Sequence, residues 1–294
     1  MTSRLPSVCI LTLNWNNTSA TVDLLRSCAA ITYPNFRVVV IDNGSETGSL
    51  DLFTAQFPTA KLIVNGSNLG FAAGMNVGIK YALQQGSDFI CLINNDTLLA
   101  PDMLDQLVSA AIHCEADLAS PAIYYMNLPE RIWSIGGWRS CVTLEITQCY
   151  RHLDDVNLQE PFVVDYVTAC GMLLRQQCVE RVGLFDERFF MYYEDMDYCL
   201  RAKALGSKIV VVPRAKMWHK VGATIGGSDS PAERYHMALS SVRFFKKHIR
   251  GQRWLIVGPY RTASALKTIT RLLLKGRPDS VRAYAYGLWE GIRT

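Results

Sequence analysis

The stretch FICLINNDTLLAPDML, residues 89–104, places an apolar run, Phe89–Ile93, before a polar turn, Asn94-Asn95-Asp96, and then Pro101 at the opening of a helical pattern. A short apolar run that ends in turn residues and leads into helical spacing reads as a buried strand feeding a helix. The same rhythm extends outward from it. Val8–Leu13, Arg37–Ile41, Lys61–Val64 and Leu118–Ile123 read as further strands, and Thr21–Ile31, Leu50–Phe57, Ala72–Gln85 and Asp102–Cys114 carry apolar residues at helical spacing. Alternating βα units predict an α/β fold with a mixed, mainly parallel sheet flanked by helices. Each strand hands over to a polar turn: Asn14-Trp15-Asn16-Asn17, Asp42-Asn43-Gly44-Ser45, Asn65-Gly66-Ser67-Asn68 and Asn94-Asn95-Asp96. Ligands of open α/β sheets sit beyond the carboxyl ends of the strands, so these four turns form the expected mouth of a site.

At 294 residues, with 49% hydrophobic and 19% charged residues, the chain has globular composition, which excludes a disordered protein. Its longest apolar runs, Ile209–Pro213 and Trp254–Val257, fall far short of the ~20 residues of a spanning helix. Val8–Leu13 runs straight into polar Asn14, which reads as a first strand and not as a targeting segment. Nine cysteines without a CxxC pair or a zinc-spaced cluster read as reduced, buried residues of a cytoplasmic protein. Charge is unevenly placed: residues 231–294 hold 13 Lys and Arg against 3 Asp and Glu, a net +10, while the first 230 residues hold 17 against 23, a net −6. A cationic C-terminal segment on an acidic body predicts an anionic partner, with a membrane face as one candidate. No nucleic-acid recognition motif accompanies it, so no nucleic-acid partner is expected.

Between Met126 and Tyr166 the rhythm is lost, and Gly136-Gly137 with alternating Val142, Leu144 and Ile146 suggests a hairpin or irregular insertion. A second ordered block spans Asp165–Trp218, a linker carries Gly222, Gly226 and Gly227, and helical sequence follows to the end.

Five segments could carry chemistry. Asp42 ends an apolar strand, where it either closes an Asx turn or accepts a hydrogen bond from a base or ribose edge. Gly70, Gly74 and Gly78 recur every fourth residue in a helical pattern. Each costs about 1 kcal/mol against Ala, which implies close packing or ligand approach. The spacing is not the dinucleotide fingerprint, which argues against a dehydrogenase. Asp96 beside Asn95 is either a polar turn residue or a carboxylate able to hold a divalent ion while leaving positions for phosphate oxygens and water; Asp102 is the better helix cap. In VGLFDERFFMYYEDMDYCLRAKALG, residues 182–206, Glu194 and Asp195 fall in the first turn of an amphipathic helix. The helix dipole accounts for one such anion and hardly for two. Asp197 and Arg201, four apart, read as a helix-surface pair. In VVVPRAKMWHKVGAT, residues 210–224, a buried strand and a Pro break precede His219, either a satisfied polar residue or a neutral imidazole ligand to a metal.

Taken in order and at these spacings, the five segments resemble glycosyltransferase family 2, whose members have the GT-A fold, over roughly Ser7 to Gly222. VGLFDERFFMYYEDMDYCLRAKALG resembles the rhamnosyltransferase-type branch of bacterial enzymes that build O-antigen and other surface polysaccharides. The resemblance implies a GT-A catalytic domain over 1–222, followed by a basic helical C-terminal appendage over 223–294. It implies that the Asn14–Asn16 turn and Asp42 hold the nucleotide base and that Asn68, Gly70 and Asn76 line the nucleotide-sugar pocket. Asn94, Asn95 and Asp96 occupy the family's DXD position, with Asp96 as the metal ligand and Asn94 where the pattern has an acid. His219 matches the second metal contact, Asp195 the catalytic base, and Glu194 its neighbour in the acceptor site. The implied cofactor is a divalent cation, Mg2+ or Mn2+. The implied reaction is inverting transfer from a nucleotide-sugar donor, dTDP-L-rhamnose, to a hydroxyl of a saccharide or lipid-linked acceptor. A UDP- or GDP-sugar donor, or a non-catalytic nucleotide-sugar-binding module, is the alternative. A nucleotidylyltransferase would carry a Gly-rich, basic phosphate loop where Asn14–Asn17 stands. The 231–294 segment is expected to pack on the catalytic domain and to touch a membrane peripherally.

Overall fold

The computed structural model describes residues 4–46, 56–151, 158–221 and 228–294. Strands β1 (Val8–Asn14), β2 (Phe36–Asp42), β3 (Lys61–Val64) and β4 (Phe89–Ile93) lie parallel in the order β4-β1-β2-β3. All five residues of β4 are buried, as a central strand covered on both faces requires. Successive side chains of a strand point to opposite faces, so Cys9, Leu11, Ile90 and Leu92 enter one core while Val8, Ile10, Cys91 and Ile93 enter another. Of the helices α1 (Thr18–Cys28), α2 (Gly70–Gln84) and α3 (Met103–His113), α2 covers the first face with Met75 and Ile79 and α3 the second with Leu104 and Leu107. A Cβ at Gly74 would lie 2.7 Å from Leu13 and one at Gly78 2.7 Å from Ile41, so the glycine spacing in α2 serves close helix-to-sheet packing.

The sheet continues past β4 through strands placed by the second half of the chain. After β5 (Thr97–Leu99) and β6 (Leu118–Tyr125), the insertion holds β7 (Leu128–Ser134) and a small antiparallel sheet of β8 (Gly137–Arg139) and β9 (Ile146–Gln148). Next come β10 (Phe162–Val163), β11 (Gly171–Arg175), helices α4 (Gln176–Val182) and α5 (Glu194–Ala204), and β12 (Ile209–His219). β11 runs antiparallel between β4 and β6, and β12 runs parallel to β6, giving the order β10-β12-β6-β11-β4-β1-β2-β3. The sheet is therefore mixed and mainly parallel, with helices on both faces.

Three local expectations change. Pro213 does not end its strand: β12 runs on to His219 through a register shift between Val212 and Lys216, the kind of bulge at which a sheet tolerates proline. Asp102 stands at the N-cap of α3 but makes no side-chain cap bond; its carboxylate accepts from Gln106 at 3.4 Å. Asp197 accepts from Arg201 at 2.8 Å, yet it is wholly buried, because α6 (Pro231–His248) covers it and adds Lys247 at 2.6 Å and His248 at 2.7 Å. The expected helix at Leu50–Phe57 lies mostly outside the described residues, as do Gly222, Gly226 and Gly227.

After Pro at the first turn and a Ser230 cap, α6 packs Phe244 and Phe245 with Phe189 and Leu144 of the preceding α/β body. Helices α7 (Trp254–Leu274) and α8 (Pro278–Arg293) follow. Residues 231–293 thus hold three α-helices, the first of them packed on that body.

Candidate active site

Beyond the carboxyl ends of β4 and β12 opens a cavity of about 590 Å³ whose walls include Asn94, Asp96, Glu194, Asp195 and His219. Five expected site residues, drawn from three separate segments, therefore meet. The approach of Asp96 to His219 is made by the sheet. β5 pairs with β12 so that Thr97 faces His219, and Asp96 Oδ1 lies 3.2 Å from His219 Nε2. The edge of Trp133 packs on the imidazole at 4.6 Å between ring centres. Burial works against a charged ring, but Cys170 and Asp96 beside it prevail, and the His219 pKa is pushed up to about 10.

Asp195 enters from the first turn of α5. Tyr192 and Tyr193 before it both adopt left-handed backbone, with φ of 64° and 69°. Two consecutive non-glycine residues in that region carry strain, and the sharp turn they make brings the helix start, with its favourable dipole, to the cavity wall. Asp195 Oδ2 accepts from Tyr166 Oη at 2.9 Å and the Ala169 amide at 3.3 Å, and Oδ1 from the Met196 amide at 2.7 Å. Burial raises its pKa, opposed by these donors, and the net direction is upward. Glu194 is 6% exposed, and its Oε2 has no hydrogen-bond partner among the described residues. Burial, and then the neighbouring Asp195, push its carboxyl well above the usual range.

The remaining expected residues form a polar network at the ends of β1 to β3. Asn14 donates to Asp42 at 2.8 Å and accepts from Thr21, whose hydroxyl also accepts from Asn95 at 2.9 Å. Asp42 is held further by the Ser45 amide and hydroxyl, and Asn16 and the Glu46 amide close the same turn. Asn43, not singled out in the sequence, donates to Asn68 at 2.9 Å and to the Gly70 carbonyl, and accepts from Asn65. A chain of hydrogen bonds thus links Asp42 to Asn95, next to Asp96.

Two residues sit differently from expectation. Asn76 does not line a pocket. It is fully buried, and its amide is committed to both backbone groups of Phe185 and to Glu187, clamping α2 to the segment before α5. Gly70, at φ +80°, would place a Cβ 2.4 Å from the Phe190 carbonyl, so that close backbone already requires a glycine there. Sequence reasoning missed Trp133 and Tyr166, which lie in the stretch where the rhythm is lost, and Cys170, just before β11; Glu233 and Met237 of α6 also line the cavity.

The fold is the GT-A fold. The fold is shared with a mannosyltransferase from Pyrobaculum calidifontis, solved with GDP-Man and Mn2+, at a TM-score of 0.62 and 15% identity over 99% of this chain and 76% of that one. The chain belongs to the family described as glycosyltransferase-like family 2, which matches residues 6–238. It is 24% identical to the dTDP-rhamnosyl transferase RfbF of Shigella flexneri over 221 residues, 73% of this chain and 72% of that protein. It is 26% identical to the N-acetylglucosaminyl-diphospho-decaprenol L-rhamnosyltransferase of Mycobacterium tuberculosis over 223 residues, 69% of this chain and 72% of that protein.

Proposed function

We propose that the protein is an inverting, nucleotide-sugar-dependent glycosyltransferase. It moves L-rhamnose from dTDP-L-rhamnose to a hydroxyl of a saccharide or lipid-linked acceptor in surface-polysaccharide synthesis, working at the inner face of the cell membrane. The observation that carries the reading is one cavity holding both the Asp96–His219 pair and the Glu194–Asp195 pair. The names of the two rhamnosyltransferase relatives support the sugar, and the decaprenol-linked substrate in one of them supports a lipid-linked acceptor.

Asp195 is the base. Its carboxylate, fixed by Tyr166, Ala169 and Met196, takes the proton of the acceptor hydroxyl as that oxygen attacks the anomeric carbon. The bond from that carbon to the diphosphate oxygen breaks, and its electron pair leaves on the nucleotide diphosphate. One displacement inverts the centre, and a positioned carboxylate base contributes roughly 10²–10⁴-fold. Glu194, beside it, faces the acceptor. The network from Asp42 through Asn14 and Thr21 to Asn95 holds the nucleotide end of the donor at the strand termini.

Asp96 and His219 fit Mg2+ or Mn2+: a carboxylate oxygen and a ring nitrogen share one wall, a partial set of the kind such ions take when phosphate oxygens and water complete the shell. When bound, the ion neutralises charge on the departing diphosphate. As a ligand, His219 would be the neutral imidazole. A thermal-shift panel of dTDP-, UDP- and GDP-sugars with and without Mn2+ tests the donor. The largest shift is expected from dTDP-L-rhamnose with Mn2+, and a larger one from a UDP- or GDP-sugar overturns that assignment.

A further inference from the structure

Helix α7 is built inside out. Leu255, Leu266, Leu273 and Leu274 are 78%, 60%, 57% and 84% exposed. The first three are 11 and 7 residues apart, which sets them on one line along the helix. Ile256, Pro259, Thr262, Ala263 and Thr270, also exposed along that side, are all uncharged, and Lys267 stands at its edge. The inward side carries the polar anchors: Arg261 donates to Glu145 at 2.7 Å and Arg271 to Asp229 at 2.7 Å, with Val257 and Leu272 buried beside them. A surface helix of a globular protein ordinarily turns its apolar stripe to the core and its charges to water. Here the fold is held by the charged side, and the leucines are left over.

The surroundings of this stripe are cationic. Residues 234–278 contain 11 Lys and Arg and not one Asp or Glu. Trp254 and Tyr260, aromatic residues of the kind favoured at a membrane–water boundary, are 38% and 41% exposed near the start of the helix. No helix among the described residues is long and apolar enough to cross a membrane. At about 1.5 Å per residue, α7 offers a stripe roughly 30 Å long.

We infer that the outer face of α7 is an in-plane docking surface for an anionic phospholipid bilayer, with its leucines in the acyl boundary and the surrounding Lys and Arg among the headgroups. A basic amphipathic helix lying in the interface binds by buried apolar area together with attraction to anionic lipid. A second copy of the chain is the weaker occupant, because pairing this face with itself brings two segments of net charge +10 together. The inference gives the proposed lipid-linked acceptor its physical setting and rests on that reading for its purpose only. Vesicle binding is measured without donor or turnover, so either can fail alone.

The test is flotation of the full chain with vesicles of phosphatidylglycerol and phosphatidylcholine, against vesicles of phosphatidylcholine alone. The parent is expected to float with the anionic vesicles and to be released as salt rises. The combined variant Leu255→Ser, Leu266→Ser, Leu273→Ser is expected to lose at least about tenfold in partitioning. Its unfolding midpoint stays at the parent value, because these side chains are solvent-exposed. Charge reversal by Lys267→Glu and Arg282→Glu should weaken flotation with the leucines intact. Equal flotation of parent and leucine variant overturns the proposal. So does a parent that fails to float, or one that is dimeric in solution and is made monomeric by the leucine substitutions.

Discussion

Replacing Glu194 by Gln keeps the shape of a side chain that is 6% exposed and removes its charge. In the parent, burial and then Asp195 hold the carboxyl well above its usual range. A carboxyl whose folded pKa is raised contributes its full stability below the unfolded pKa and loses it as pH rises through the folded pKa. The parent therefore sheds stability as pH rises from the ordinary carboxylate range through that raised pKa, and Glu194→Gln does not. Each tenfold rise in proton affinity is worth about 1.4 kcal/mol. A buried, unsatisfied polar group costs about 1–3 kcal/mol, and more when charged. Gln leaves a polar but uncharged group where Glu194 Oε2 lacks a partner among the described residues, so the variant escapes only the charge-dependent part of that cost and should be more stable than the parent at pH 8, by on the order of 1 kcal/mol. The advantage should shrink as pH falls toward the ordinary carboxylate range. Urea unfolding at several pH values reads this directly, with m unchanged. A variant less stable than the parent at pH 8, or a difference that does not vary with pH, refutes the reasoning.

Asp96→Ala should weaken donor binding at least about tenfold in Mn2+, as expected for loss of a group that holds a charge-neutralising ion, and should abolish the tightening that Mn2+ produces in the parent. Calorimetry with and without the ion checks it, and a parent indifferent to the ion removes the metal assignment. Asp197→Asn should cost about 3–5 kcal/mol, because Arg201 and His248 would lose their carboxylate partner at a buried site, with Asp186 left as the counter-charge of Lys247. Burial opposes the charge on Asp197, but His248 and Lys247 prevail and hold its pKa down. The stability it supplies is thus present above the unfolded pKa and is lost as pH falls through the folded one. Urea midpoints for parent and variant should converge in acid.

The parallel half of the sheet is legible in the sequence because its strands are short, buried on both faces, and end in polar turns. The periods of α2 and α3 are legible because each packs one side on that sheet. Asp195 could be read from two acids at a helix start, where one suffices for the dipole. The pairing of Asp96 with His219 could not be derived from the residues, since a β5–β12 register brings together positions far apart in the chain. Tyr166 escaped notice because it sits where hydrophobic period fails. Asn76 misled for a related reason: a buried amide that satisfies a backbone segment looks, in sequence, like one that awaits a ligand. Asp197 and Arg201 have surface-pair spacing, and only the docking of α6 turns them into a buried cluster.

The most direct measurement is single-turnover transfer from dTDP-L-rhamnose by the parent and by Asp195→Asn, with donor affinity measured on both proteins. The expected result is a loss of roughly 10²–10⁴-fold in rate with donor binding retained. A variant that transfers sugar at close to the parent rate would contradict the assignment of Asp195 as the base and, with it, the reading of this cavity as the place of transfer.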